Sequence, residues 1–343
     1  MTVRLASLQD VPGIDRYIRD RESANFYLDY RWGKIAENVF GHKYHVLLSE
    51  RRDGGIDGLF PFVHFRSVTF GNFLVSMPYY NYGGVCADDD AARGKLIEEA
   101  VRMAREWKAR HIEFRQEASL NNGFHEKTHK VSMRLPLPGS ADELWKSFPS
   151  KLRSQVKVPQ KGGMTCRTGR FEELDAFYAV FVRNMRDLGT PVYPKAFFRT
   201  ILEEFPDNSW ICSVYKDNVP VASGFLAGSK GRLEIPWASS VRDYNRFSPN
   251  MLLYWSCLKF GCEKGFDTFD FGRSTEGEST YRFKEQWGAS PSPMIWSYWV
   301  PEGGEVPELT PRNPKYRLAI EIWKRLPLGV TRVIGPRIIR NIP

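Results

Sequence analysis

The sequence has no apolar run approaching the roughly 18–20 residues that a membrane-spanning helix needs. Its opening stretch, MTVRLASLQDVPGID, also lacks the apolar core of a secretory signal. Both absences make the cytoplasm the expected compartment. Cysteine is scarce, five in 343 residues, odd in number and scattered. A disulfide framework and a paired zinc motif are therefore not indicated. Cys257 and Cys262 have four residues between them, without a second pair or a nearby histidine, so reduced, buried thiols are expected. The six histidines include one i, i+4 pair, His125 and His129, in a stretch that reads as polar loop. The pair closes the string HEKTH, which has HExxH spacing, but that motif binds zinc from a helix and this stretch reads as loop, so no metal is expected. Low-complexity sequence is missing too. A hydrophobic content of 42% and an aromatic content of 14% are ample for packed cores.

Acidic residues are nearly absent from two stretches. Residues 146–170 hold seven basic side chains and no acidic one, and residues 311–343 hold eight basic against Glu321 alone. These segments carry +14 in a chain of net charge +9, which leaves −5 for the remainder. Charge concentrated in this way predicts an anionic partner: a nucleic acid, a phosphorylated small substrate or a membrane surface. A solvated basic face without a ligand is the alternative.

The length predicts two domains. In the first half, a helix is expected near Ala6–Tyr17, interrupted at Val11-Pro12. A strand meander follows at His45–Glu50, Gly58–Arg66 and Thr69–Val75. Next come the aromatic loop Pro78–Gly84, a helix over Ala91–Lys108 and a strand over His111–Arg115. The second half repeats this order. Helices are expected at Leu144–Lys157, Phe171–Arg186 and Lys195–Glu204, with a short strand at Met164–Arg167. A meander follows at Trp210–Tyr215, Val219–Ala227 and Arg232–Ser239, its hairpin turn at Asp217-Asn218. Ser248-Pro249 then opens a helix over Asn250–Lys264. Strands at Asp267–Phe271 and Met294–Val300 complete the half. Two α/β units in one order predict a duplicated fold, each half a mixed sheet flanked by helices. The boundaries are 1–145 and 146–310. Basic helices at Pro314–Arg325 and Gly329–Arg340 follow, docked on the protein, possible company for the first domain, or laid on an anionic membrane.

The stretch DTFDFGRSTEGESTYRFKEQWG, Asp267–Gly288, is the one around which the second half is built. A buried strand is expected to break at Gly272 into a polar loop with Arg273 and Ser274, followed by the amphipathic run Tyr281–Lys284. Ligands of open α/β sheets bind beyond the carboxyl ends of strands. Hydroxyls, an arginine and a lysine beside an aromatic there suit an anionic or carbonyl group. Ordinary loop and core packing are the competing reading.

Three stretches together carry a resemblance: Ser150–Gly162 (SKLRSQVKVPQKG), Phe269–Ser274 (FDFGRS) and Tyr281–Gly288 (YRFKEQWG). The sequence resembles the FemAB-like transferases, which have tandem GNAT-type acyltransferase domains. Within them it is most similar to the FemAB-related proteins associated with exosortase/PEP-CTERM exopolysaccharide systems. The resemblance implies transfer of an acyl or aminoacyl group from aminoacyl-tRNA or acyl-CoA to an amine of an envelope precursor, without a resident cofactor. It implies that Lys284 stabilises the developing oxyanion or leaving oxygen. Phe283 would hold it in place, and Lys151 and Arg153 would bind phosphate. Asp270 is the candidate base or orienting group. Tyr80, Asn81 and Arg115 are candidate acceptor contacts in the first half, and Tyr254 joins Arg273, Ser274 and Tyr281 as a candidate substrate contact. CoA-dependent relatives have a glycine-bearing pyrophosphate loop, whereas the corresponding Val241–Pro249 has no glycine. The rivals are a CoA-dependent N-acyltransferase and a non-catalytic module that binds anions or nucleic acid.

Overall fold

The computed structural model describes residues 2–67, 70–307 and 314–343, with side chains from 317 in the last stretch. The chain order begins β1 (Thr2–Leu5), α1 (Val11–Arg19), α2 (Tyr30–Phe40), β2 (Lys43–Glu50), β3 (Ile56–Ser67), β4 (Gly71–Val75), β5 (Cys86–Ala87), α3 (Asp90–Glu106) and β6 (Ile112–Gln116). It continues with β7 (His125–Pro136), α4 (Ala141–Ser147), α5 (Ser150–Lys161), β8 (Met164–Gly169), α6 (Phe171–Leu188) and α7 (Lys195–Glu204). The rest is β9 (Ser209–Lys216), β10 (Val219–Ser229), β11 (Arg232–Ser240), α8 (Pro249–Glu263), β12 (Thr268–Thr275), α9 (Ser279–Glu285), β13 (Ser290–Trp299), α10 (Pro314–Arg325) and α11 (Leu328–Ile339).

The chain forms two compact units: residues 1–130, 293–308 and 340–343, and residues 131–292 with 309–339. β7 and β13 each pass from one unit to the other, so the division falls at 130/131, inside β7, where the sequence suggested 145/146. Residues 308–313, in the segment joining β13 to α10, lie outside the described residues, and the expected boundary at 310 falls among them.

In the first unit the strands run in the order β1-β2-β3-β4-β6-β13, with β5 beside β3. β4 and β6 are parallel, Val75 opposite Glu113, among otherwise antiparallel pairs. α3 packs on β2 and β3 through Leu96, Ala100 and Ala104, at helical spacing, against Leu47, Phe60 and Phe62. Asp89 caps that helix by accepting from Ala92 N at 2.7 Å.

In the second unit the order is β7-β12-β11-β10-β9-β8, with β11 and β12 parallel and joined through α8. Residues 221–228 of β10 are buried without alternation, and both α6 and α8 contact that strand. An uninterrupted apolar strand of this kind has both faces covered. The hairpin between β9 and β10 turns at Asp217 (φ 52°) and Asn218 (φ 62°), the left-handed pair that matches strand twist.

Several local expectations change. Val11 and Pro12 open α1, because proline at a first-turn position gives up no needed donor. The helix expected over Leu144–Lys157 is two, α4 and α5, since Pro149 stands at the N-terminal boundary of the second in extended backbone. The presumed polar loop holding His125 and His129 is β7. Ser248 precedes α8 with φ 55° and no side-chain cap. Of the strand expected over Thr69–Val75, Thr69 lies outside the described residues and Gly71–Val75 is β4. The two C-terminal helices pack on α6, in the second unit, and the final four residues return to the first. All five cysteines are unpaired thiols, four of them buried.

Candidate active site

β12 is buried from Phe269 to Gly272, with Phe269 and Asp270 at 0% exposure. Its register with β11 sets Asp270 opposite Glu234, itself buried, and goes no further. Gly272 follows with φ 73°, a left-handed residue inside the strand that a side chain would disfavour. The strand bends there without ending and runs on to Thr275, so the break expected at Gly272 is a kink.

The kink supplies two carbonyls for Lys284. α9 buries that lysine, 7% exposed, and its Nζ donates to Gly272 O at 2.9 Å and Arg273 O at 3.0 Å. An ammonium has three donors, and among the described residues no third acceptor and no carboxylate pairs with it directly. Burial pulls its pKa from the ordinary 10.5 down to about 8, against the fields of Asp270 and Glu234, which raise it, and with that of exposed Arg273, which lowers it. The result is a cation that is poorly solvated, held in place and still able to donate.

Asp270 is tied on three sides. It accepts from Ser132 Oγ, from Gly272 N at 2.8 Å and from Arg134 Nε at 3.3 Å. A fully buried carboxylate so occupied is placed to fix the Gly272 peptide, and through it Lys284, rather than to take a proton from a substrate. Ser274, the second residue beyond the kink, is 4% exposed, and its Oγ has no hydrogen-bond partner among the described residues. A buried hydroxyl without a partner is costly unless something else satisfies it.

An aromatic group anchors α9, the helix that carries the lysine. Phe283 meets the Tyr254 ring edge-on at 5.0 Å, and Tyr254 stacks on Phe271 at 5.6 Å. Burial raises the pKa of the Tyr254 hydroxyl. Tyr281 is half-buried against the same core. Lys151 is exposed and Arg153 half-buried on α5, which packs against α8, the helix that carries Tyr254.

The structure thus brings together Lys284, Asp270, Arg273, Ser274, Tyr254, Tyr281 and Phe283. Tyr80, Asn81 and Arg115 belong to the other unit. Arg115, 3% exposed, donates to Glu113 Oε1 and to Tyr80 O, both at 2.7 Å, and lies 4.4 Å from the Trp296 ring centre. Tyr80 is 3% exposed and stacked on Tyr27 at 4.9 Å, with its hydroxyl directed to Trp32 O. Their polar groups are committed to the unit's own interior, which makes Tyr80 and Arg115 packing residues in place of the acceptor contacts expected. Asn81 is half-buried between them in sequence.

Sequence reasoning missed Ser132 and Arg134, because the segment that holds them read as loop, and Glu234. A lone glutamate inside the apolar strand run RLEIPWASS was a usable signal, since a buried carboxylate needs a counter-charge or hydrogen bonds.

Residues 148–285 match the acetyltransferase (GNAT) domain family. The chain is an acyltransferase. The matched segment includes every residue gathered around Lys284 except Ser132 and Arg134. Comparison with curated protein sequences finds no match. Among solved structures the chain is similar to FemX, with a TM-score of 0.66 at 14% identity, covering 93% of this chain and 100% of that one. The L-PGS structure from Bacillus licheniformis aligns at TM-score 0.55 and 12% identity over 96% and 97% of the two chains. A tandem GNAT protein from the clavulanic acid biosynthesis pathway aligns at 0.55 and 10% over 89% and 100%. These likenesses establish a tandem GNAT fold for this acyltransferase, with mixed sheets and flanking helices. Among the described residues, no helix is long and apolar enough to cross a membrane.

Proposed function

We propose that this acyltransferase is of the FemAB type and moves an acyl or aminoacyl group onto an amine of a cell-envelope or exopolysaccharide-related acceptor, as in PEP-CTERM-associated systems. The observation that carries this reading is Lys284: a buried ammonium, oriented by two main-chain carbonyls, with one donor unspent. The acceptor nitrogen attacks the carbonyl carbon of an activated ester or thioester. The C–N bond forms, the carbonyl oxygen gains negative charge, and collapse breaks the bond to the leaving oxygen or sulfur. Lys284 donates to that oxyanion or to the leaving atom, worth more in a dry site than in water. Ser274 Oγ is a second donor within the same turn. The nitrogen's proton departs to solvent, which needs no side-chain base. Lys151 and Arg153 supply phosphate contacts on the donor.

Aminoacyl-tRNA is the donor we favour, in line with the resemblance to the FemAB-like transferases and with a segment 241–249 that folds as a glycine-free turn. One observation favours acyl-CoA instead, the description of the matched family as an acetyltransferase. No resident cofactor is invoked, and the five unpaired thiols suit a reducing cytoplasm. Incubation with a panel of aminoacyl-tRNAs and acyl-CoAs, read by mass spectrometry for donor consumption, separates the donors. Consumption of aminoacyl-tRNA lost in Lys284→Ala supports the reading. Stoichiometric acyl-CoA binding by calorimetry, with turnover of that donor alone, replaces it with the CoA reading. No turnover of any donor would sink both.

A further inference from the structure

Large apolar side chains with high exposure are unevenly placed among the described residues. Six of them, Leu318, Ile322, Leu328, Val330, Val333 and Ile334, lie within the last 26 residues. Leu318 is 72% exposed, Val333 63% and Ile322 53%.

Their positions follow helical spacing. Leu318 and Ile322 stand four apart on α10, and Val330, Val333 and Ile334 fall at i, i+3 and i+4 on α11. The opposite faces are the ones used for docking. α10 buries Trp323, and Ile320 packs so closely over Gly189 that a Cβ there would meet it at 2.5 Å. α11 buries Thr331, Gly335 and Ile339, and a Cβ on Gly335 would come within 2.8 Å of Val192. The two helices are therefore fixed on α6 by one face and carry aliphatic side chains that the described residues leave exposed.

Charge says what covers that face. From residue 317 to 340 there are six basic side chains and one acidic, Glu321, which pairs with Lys324 at 2.8 Å. A second copy of the chain would bring +5 against +5, which opposes self-association. Nucleic acid would leave the aliphatic side chains in water. Branched aliphatics bordered by arginines fit the headgroup boundary of an anionic bilayer, where short apolar groups enter and guanidinium groups reach back to lipid phosphates. We infer that α10 and α11 form a peripheral docking surface for an anionic membrane, on which the helices lie without crossing it. This inference is independent of the donor and acceptor proposed above.

The test is flotation of the full chain with vesicles of phosphatidylcholine, alone and with about one third phosphatidylglycerol, at low and raised salt. The expected result is binding to the anionic vesicles only, weakened by salt. Ile322→Glu with Val333→Glu should lower it at least about tenfold, and Arg317→Ala and Arg325→Ala about fivefold each. Both apolar positions are more than half exposed, so the fold should survive, as thermal unfolding would show; Leu318→Asn is a milder second variant with the same expected direction. Absence of binding to anionic vesicles, or binding that the glutamate variant retains, overturns the inference. So does a dimer in solution that the glutamate variant dissociates, which would assign the face to a second copy. Transfer activity measured without membrane should be unchanged in all of these variants.

Discussion

Among the described residues each unit buries one lysine or arginine deeply, and the two are treated in opposite ways. Arg115 in the first unit has a carboxylate at 2.7 Å, a main-chain carbonyl at 2.7 Å and an aromatic face beneath it. Lys284 in the second has two carbonyls and no direct carboxylate, with Asp270 and Glu234 acting only at a distance. A neutralised, well-partnered cation holds a fold together. A partly satisfied one keeps interaction capacity for something that is not the protein, and its lowered pKa records the burial cost that the packing around it sustains.

The comparison can be broken most forcefully at Arg115. Arg115→Ala leaves Glu113 buried without its partner and should destabilise the chain by about 3–5 kcal/mol, measured by denaturant unfolding. Replacing Arg115 and Glu113 together with Met and Leu should restore much of that loss. If Arg115→Ala instead abolished transfer in a stably folded protein, the assignment of this pair to structure would fail.

Next in size is Lys284→Ala. Transfer should drop by about 100-fold or more, the scale of a lost oxyanion donor, with little change in unfolding temperature. Retained turnover in a folded variant would remove the lysine from the chemistry.

The pH dependence should sharpen the contrast. Lys284 is protonated below its pKa of about 8, so kcat/KM should lose about tenfold per pH unit above that value. Lys284→Arg, whatever its absolute rate, should lack that limb because a guanidinium stays charged. Stability should move the other way. Between about 8 and the ordinary 10.5 the unfolded chain holds the proton that the folded chain releases, so the lysine's burial cost shrinks as pH rises through that window. Comparing the pH dependence of unfolding in wild type and Lys284→Met checks the sign.

The smallest effect is expected at Ser274. Ser274→Ala removes an unpartnered buried hydroxyl, so stability should be unchanged or slightly higher, while transfer falls by about threefold to tenfold. A stability loss would mean that the hydroxyl has a protein partner after all.

Much of the second unit was legible in the sequence. Lys195–Glu204 is helical at the expected bounds, and Asp217-Asn218 makes the expected hairpin turn, because apolar periodicity and left-handed turn residues are local signals. The first unit was less legible. α2 was not anticipated, and β7 read as loop because its first residues, His125 to Lys130, are polar. The loss of β7 hid Ser132 and Arg134, and so hid what Asp270 holds.

The sequence by itself determined that two α/β units exist, that basic charge gathers in two segments, and that Lys284 sits in an aromatic-lysine run after a buried strand. Those are properties of neighbours along the chain. Whether the lysine is buried or free, whether Asp270 takes a proton or holds a peptide, and which face of the last helices is left uncovered were decided only by folding. Each depends on residues far apart in sequence, Ser132 with Asp270 and Gly189 with Ile320 among them, and no periodicity or spacing encodes such a meeting.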